Sequence, residues 1–418
     1  QTLPEEIVPH LSEVTAGTLT LVGTGDLQGE ITALPEGAYD QYIWVTNVGA
    51  VTDQASLSAF LNDTTAQMNQ INALVNTAVS GNYAGINLDY QGVDASQRDA
   101  FSGYVQSLAD ALKAQGKNLI VTLATPQNAN DTWDAAGQDW AAVGAAADTV
   151  YVLLPLDPTQ YGEGGNADKL ITWATDHIDR SKLVALTHAS AVDRLGESFI
   201  DLSNEQALAN FGQMEFVSGG PEVEPGTPIE LALSGSAGPL EWDSASATYR
   251  YTYEDTNGQT HTVWLGSPAA TVQRLNTAVK HNLKGAAVRG LGQVNDTNGF
   301  VAALNSITGQ GPVPEPTGAT IVWKVTDEGE NILASDSEGN MTFAWEGSAS
   351  PGNFAVNVDF AFGDALTTLG ESPVVVAEAV VEEVVEETVE EAPEEETVTV
   401  SAQIEEHTSE LQSRGHLV

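Results

Sequence analysis

Within Tyr83-Ala-Gly-Ile-Asn-Leu-Asp-Tyr-Gln-Gly92 an amide, a carboxylate and a second amide fall on alternate positions, at Asn87, Asp89 and Gln91. A strand turns alternate side chains to one face, so the three point together into one mouth. Such a row offers many hydrogen-bond donors and acceptors but a single titratable group. It suits the hydroxyls of a sugar, held as a lectin holds them. It suits equally a set of residues that satisfy one another in a filled interior. Asp157 and Tyr161 are expected to line the same mouth, as ligand contacts or as local structure.

The remaining polar inventory is thinner. Trp44, Trp133, Trp140 and Trp173 are candidate platforms for sugar rings, although tryptophan in an α/β chain more often fills core. The seven histidines show no metal-ligand spacing, and cysteine is absent. Disulfides, thiolate metal sites and a cysteine nucleophile are therefore excluded, and no cofactor is expected. Asp255-Thr-Asn-Gly258 and Asp296-Thr-Asn-Gly299 carry oxygen ligands of the kind Ca²⁺ takes, and the same residues make ordinary turns. Asn62, Asn130, Asn295 and Asn340 stand in Asn-x-Ser/Thr sequons, which matter where the source glycosylates them.

Charge removes other functions. The 418 residues hold 58 Asp+Glu against 14 Lys+Arg, a net −44. Such a polyanion repels nucleic acid and anionic membrane surfaces. No apolar run approaches the ~20 residues that span a bilayer. The chain opens at Gln1 without a charged-then-apolar leader, and only 17% of its residues are charged. The expectation is a secreted or cell-surface protein whose signal peptide has been removed.

The elements that must position the polar row follow from periodicity. Strands are expected near residues 7–14, 42–47, 84–90, 118–124, 149–155, 182–188 and 284–289. Helical patterns lie between them, such as Phe101, Val105, Leu108 and Leu112 on one face. This alternation calls for a parallel sheet. Residues 203–260 break the rhythm with alternating runs such as Tyr249-Arg-Tyr-Thr-Tyr253, a β-rich insertion in which Asn257-Gly258 sets a hairpin turn. Residues 311–319 form a Pro-rich linker, 320–370 a small all-β, Ig-like domain, and 371–418 an acidic tail. In the tail Val380 to Glu391 repeats every four residues with no positive charge to offset its glutamates, so alone it is a poor helix.

The run around Asp89 resembles the active-site strand of family-18 glycoside hydrolases, the chitinases and spore-cortex-lytic glucosaminidases, whose pattern is Asp-Gly-x-Asp-x-Asp-x-Glu. Val45-Thr-Asn-Val-Gly49 upstream, Gly116-Lys-Asn-Leu-Ile-Val-Thr-Leu123 downstream and Leu283-Lys-Gly-Ala-Ala-Val288 near the end are similar to that family's flanks. The likeness covers about residues 5–308 and implies a (β/α)8 TIM-like barrel. In the family the glutamate protonates the leaving oxygen, the substrate's N-acetyl group attacks, and the last aspartate orients that group. Residue by residue, the first aspartate falls on Ala84, the second on Asn87, the third on Asp89 and the glutamate on Gln91. Glutamine has no titratable proton near neutral pH, and losing a general acid costs ~10²–10⁴-fold in rate. The family's Tyr-Asp after the sixth strand is here Leu156-Asp157, and its aromatic floor falls at Arg289.

The resemblance puts the active-site strand fourth, yet two strands precede it here. A parallel barrel with a gap exposes two edges that proteins generally cover. Pro373–Val381 or Thr397–Ile404 could fill it, donated by another copy in a filament or surface layer; otherwise an irregular barrel closes unaided. Three functions stay open. One is a catalytically inactive, extracellular relative of the chitinases that binds an N-acetylglucosamine-containing glycan. The second is a self-assembling subunit with no ligand. The third is an active hydrolase of chitin or peptidoglycan that uses Asp94 or Asp157 as its acid.

Overall fold

A computed structural model describes residues 7, 11–32, 34, 37–130, 132–235, 237–293, 296–314, 318–363 and 365–378. The chain begins with a hairpin, Glu13–Val22 (β1) and Asp26–Ile31 (β2), then Asp40–Thr46 (β3), helices Gln54–Leu61 (α1) and Thr64–Ser80 (α2), and Gly85–Asp89 (β4). Arg98–Lys113 (α3), Asn118–Leu123 (β5), a small hairpin Gln127–Ala129 (β6) and Thr132–Asp134 (β7), Trp140–Ala146 (α4), Thr149–Leu153 (β8), Asn166–His177 (α5) and Leu183–His188 (β9) follow. Pro268–Lys280 (α7) and Gly285–Arg289 (β18) resume this series after the insertion, and Thr297–Ile307 (α8) ends it.

These strands build one eight-stranded sheet in the order β18-β9-β8-β5-β4-β3-β1-β2, parallel throughout except for β2. The parallel series has the expected seven members. The first of them, however, lies at 13–22 and not at 7–14, because Gly23 and Gly25, at φ 58° and 96°, turn the chain back into β2. Among the described residues no ladder joins β18 to β1 or β2, so the sheet is an open half-barrel where a closed (β/α)8 barrel was expected. The helix-facing side chains of β3, β4, β5, β8 and β9 make one core with α1 to α5. α1, α2 and α4 start where Asp53, Asp63 and Asp139 accept backbone N–H groups as N-caps. A Cβ at Gly85 would fall 1.9 Å from the carbonyl oxygen of Asn118, so β4 needs a glycine at its start to lie against β5.

The insertion is larger than its expected 203–260 and divides in two. Ala191–Leu195 (β10), Ser198–Leu202 (β11), Glu241–Asp243 (β15), Thr248–Glu254 (β16) and Thr260–Trp264 (β17) form an antiparallel sheet. Between them come Asn204–Leu208 (α6), Gln213–Ser218 (β12), Glu222–Val223 (β13) and Ile229–Ser234 (β14). β12 and β14 pair with Thr342–Trp345 (β21), while β13 pairs with Ala365–Val376 (β23), which joins Gly352–Phe362 (β22), Ala319–Asp327 (β19) and Ile332–Asp336 (β20). The C-terminal strands thus share a single apolar core with the insertion. Trp323, fully buried, stacks on Phe343 at 5.7 Å and donates its indole N–H to the Asn340 carbonyl at 2.8 Å. Trp323→Ala is expected to cost ~3–5 kcal/mol and to expose residues 213–234 and 319–376 to protease together; loss of the C-terminal strands alone would show that the shared core does not act as one unit.

This pairing corrects one reading of the tail. Pro373 faces Ala355 across the β22 ladder, and Val375 and Val376 also pair with β13, so Pro373–Val376 is not a spare strand. Thr397–Ile404 lies outside the described residues.

Candidate functional site

The carboxyl ends of the parallel strands are where α/β sheets place their chemistry, and the polar row lies there. Asn87 and Asp89 are buried on β4, with Gln91 half-buried just beyond it. Register sets Trp44 and Thr46 of β3 beside Asn87 and Asp89. The Trp44 indole N–H donates to Asp89 Oδ2 at 3.0 Å, and Gln91 Nε2 donates to Asp89 Oδ1. Thr122 donates its hydroxyl to Asn87 Oδ1 at 2.9 Å. Asn47 then locks Gln91 from behind: its Oδ1 accepts the Gln91 backbone N–H at 2.7 Å, and its Nδ2 donates to the Gln91 carbonyl at 2.9 Å. Within the row Gln91 donates to Asp89, while Asn87 is met by Thr122 from β5. Burial pushes Asp89 up to about 6, against the lowering pull of Gln91, Trp44 and the Arg289 charge.

The other candidates divide. Tyr161 is buried, donates its hydroxyl to the Pro155 carbonyl at 2.6 Å, and is pushed up to about 12 by burial. Asp157 accepts from Thr159 N, Thr159 Oγ1 and Gln160 Nε2 at 2.7–3.0 Å, as the cap of the short turn Pro158–Tyr161. Asp94 caps the turn Ala95–Gln97 by accepting from Ser96, which holds it below the ordinary carboxylate range and makes it a poor proton donor. Trp44 belongs to the site, as a hydrogen-bond donor. Trp140 and Trp133 pack on Trp173 at 4.7 and 6.1 Å on the helical side, as core. Asp255 accepts from Asn257 N and Gln259 N in the β16–β17 turn, and Asp296 caps α8 at Gly299 N, so both act as turn residues. Among the described residues no cluster of acids and histidines has metal-binding geometry.

Composition concealed one group. Arg274 of α7 donates to the His188 carbonyl at 3.0 Å and lies over the Tyr161 ring at 5.8 Å, and Arg289 ends β18 opposite His188. The signal that marked this corner was Arg289 standing where an aromatic was expected. A polar cleft of about 310 Å³ opens past the ends of β4 and β5, lined by Gly92, Thr125, Gln127, Asp134 and Gln138 among others.

An open half-barrel sheet, parallel except for β2, carries Asp89 at the carboxyl end of a central strand. The model of Glycosyl hydrolases family 18 matches residues 28–293, and the chain belongs to that family. It is 21% identical over 300 residues to a putative sporulation-specific glycosylase, YdhD, of Bacillus subtilis, covering 68% of this chain and 66% of that protein, just under two thirds of it. Its fold is similar to a chitinase of Chromobacterium violaceum (TM-score 0.52, 22% identity, 72% of this chain and 92% of that one). It is similar also to the Bacillus cereus spore cortex-lytic enzyme SleL (TM-score 0.53, 18% identity, 73% and 69%).

Proposed function

We propose that this chain is a non-hydrolysing, extracellular family-18 protein that binds an N-acetylglucosamine-containing glycan. The observation that carries the reading is the Gln91 amide bonded to Asp89 at the place where the resemblance puts a proton donor. Gln91 cannot protonate a leaving oxygen, and Asp94 and Asp157 are both committed to caps. Asp89 and Asn47 then serve to hold Gln91, one residue before Gly92 of the cleft. Sugar contact falls to Gln91 and the cleft residues, since a small set of fixed polar groups in a concave site is how sugars are oriented. Gln127 is exposed on β6. Gln127→Trp, filling the cleft, is expected to weaken binding of N-acetylglucosamine oligomers about tenfold or more in calorimetric titration; unchanged affinity would remove the cleft from the reading.

A second role rests on the open sheet. No residue of β18 is fully buried and Ala286 is exposed, unlike the interior strands of the same sheet. The proposal is that the tail of a neighbouring copy pairs with the open edge of β18 and links copies at the cell surface. In the same picture the C-terminal strands are an Ig-like module and the acidic tail a tether. Deletion of 379–418, which spares β23, is expected to turn assemblies into monomers in light scattering. A full chain that is already monomeric, or assemblies that survive the cut, would remove this role.

A further inference from the structure

We infer that the corner formed by Arg274, Arg289 and His188 receives a carboxylate, so that the glycan bound by this chain includes an acidic sugar residue. The inference rests on the glycan-binding reading above and specifies its ligand.

Cations are scarce in this chain, 14 against 58 acids, yet two guanidiniums meet at the carboxyl ends of β9 and β18, the same end of the sheet as Asp89 and Gln91. Arg274 is 2% exposed. Its contacts are the His188 carbonyl at 3.0 Å, His188 Nδ1 at 3.4 Å and the Tyr161 ring. None of these carries a negative charge, and among the described residues no carboxylate makes an ion pair with Arg274. A buried guanidinium with no counter-charge is costly, and the cost is relieved by an anion that reaches it. Arg289 is the accessible member: its side chain is 39% exposed and holds Asp201 loosely, at 3.5 Å.

His188 supplies the independent observation. It is 1% exposed, its Nδ1 lies 3.2 Å from the Ser190 carbonyl, and its Nε2 is buried without a hydrogen-bond partner. Burial and the two neighbouring guanidiniums hold the ring neutral. The nearer Ser190 carbonyl can only accept, so Nδ1 carries the proton, the 3.4 Å approach of Arg274 is a contact and not a hydrogen bond, and Nε2 is an acceptor that waits for a donor. A sugar acid meets both needs, its carboxylate taking the guanidiniums and a ring hydroxyl donating to Nε2. A neutral sugar meets only the second.

The test titrates the full chain with a uronate-containing oligosaccharide and a neutral N-acetylglucosamine oligomer of equal length, with sodium glucuronate as the anion alone. The acidic oligosaccharide is expected to bind about tenfold or more tighter than the neutral one, a preference of the size charge-assisted hydrogen bonds give. Arg289→Gln should abolish the preference. Arg274→Lys, which keeps the charge and loses the fork, should reduce it. Equal affinity for the two oligosaccharides in the wild type would overturn the acidic-sugar inference and leave the glycan-binding reading standing. A preference untouched by Arg289→Gln and Arg274→Lys, both still folded by circular dichroism, would place the carboxylate elsewhere and also overturn it. If neither oligosaccharide binds, both readings fall together.

Discussion

If the chain is non-hydrolysing as proposed, Gln91→Glu is expected to make it shorten N-acetylglucosamine oligomers, with a gain on the order of 10²–10⁴ over wild type. The new carboxyl occupies the position from which Nε2 now donates to Asp89. Two carboxylates at that distance cannot both ionise, so one proton is shared and a proton donor exists near neutral pH. Asn47 holds the residue 91 backbone from both its N–H and its carbonyl, so the new side chain should keep the direction of the old one. Adding Asp89→Asn to Gln91→Glu should return activity to background, because the shared proton and the charge that stabilises a positive intermediate go with it. A Gln91→Glu protein that is folded, binds glycan and still releases no shorter product would show that the deficit lies beyond the missing acid, with Asn87 and Arg289 the first positions to examine.

The second large effect concerns stability and its dependence on pH. Asp89 is an acid whose folded value, about 6, lies above its ordinary 3.8, so the folded state holds the proton more firmly than the unfolded state. Between those values the native chain binds more protons than the unfolded chain, and stability falls as pH rises. The contribution is intact below about pH 4, is lost on the way to about 6, and is level above that. At about 1.4 kcal/mol for each tenfold change in proton affinity, the rise corresponds to about 3 kcal/mol. Asp89→Asn removes this component while keeping an acceptor for the Trp44 indole. The thermal-stability difference between Asp89→Asn and wild type should therefore move in the variant's favour from pH 4 to pH 7. A difference that is flat over that range would mean Asp89 is not held against its charge. Asp89→Ala is a different case, since it strands the Trp44 and Gln91 donors, and each buried unpaired donor costs ~1–3 kcal/mol.

Much of this was legible in residues, and the parts that were not share a cause. The alternation of β4, β5, β8 and β9 with their helices could be read because each strand is apolar on its helix-facing side, as in Ile86 and Leu88. The polar row was legible for the complementary reason, since period two puts Asn87 and Asp89 on the other face. β2 was missed because Asp26–Ile31 is short and almost entirely exposed, with Leu27 its one residue packed against the core. Pro373–Val381 reads as a spare segment because the partners of Pro373–Val376, Glu222 and Val223 on one side and Gly352 to Ala355 on the other, are remote in sequence. The union of insertion and C-terminal strands was hidden in the same way. Local periodicity announces that Trp323 and Phe343 are strand residues, and nothing local announces that they stack. Nothing in the sequence singles out Arg274. Only the fold turns it inward to His188 and Tyr161.

The central question is whether a chain that holds Asp89 with a neighbouring amide can still cut a glycan. Purified full-length protein, incubated with N-acetylglucosamine hexamer and followed by mass spectrometry of the products, measures this directly. The hexamer should persist unshortened for as long as a control without protein. Steady release of dimers and tetramers at an enzyme's turnover, abolished by Asp89→Asn, would contradict a non-hydrolysing role.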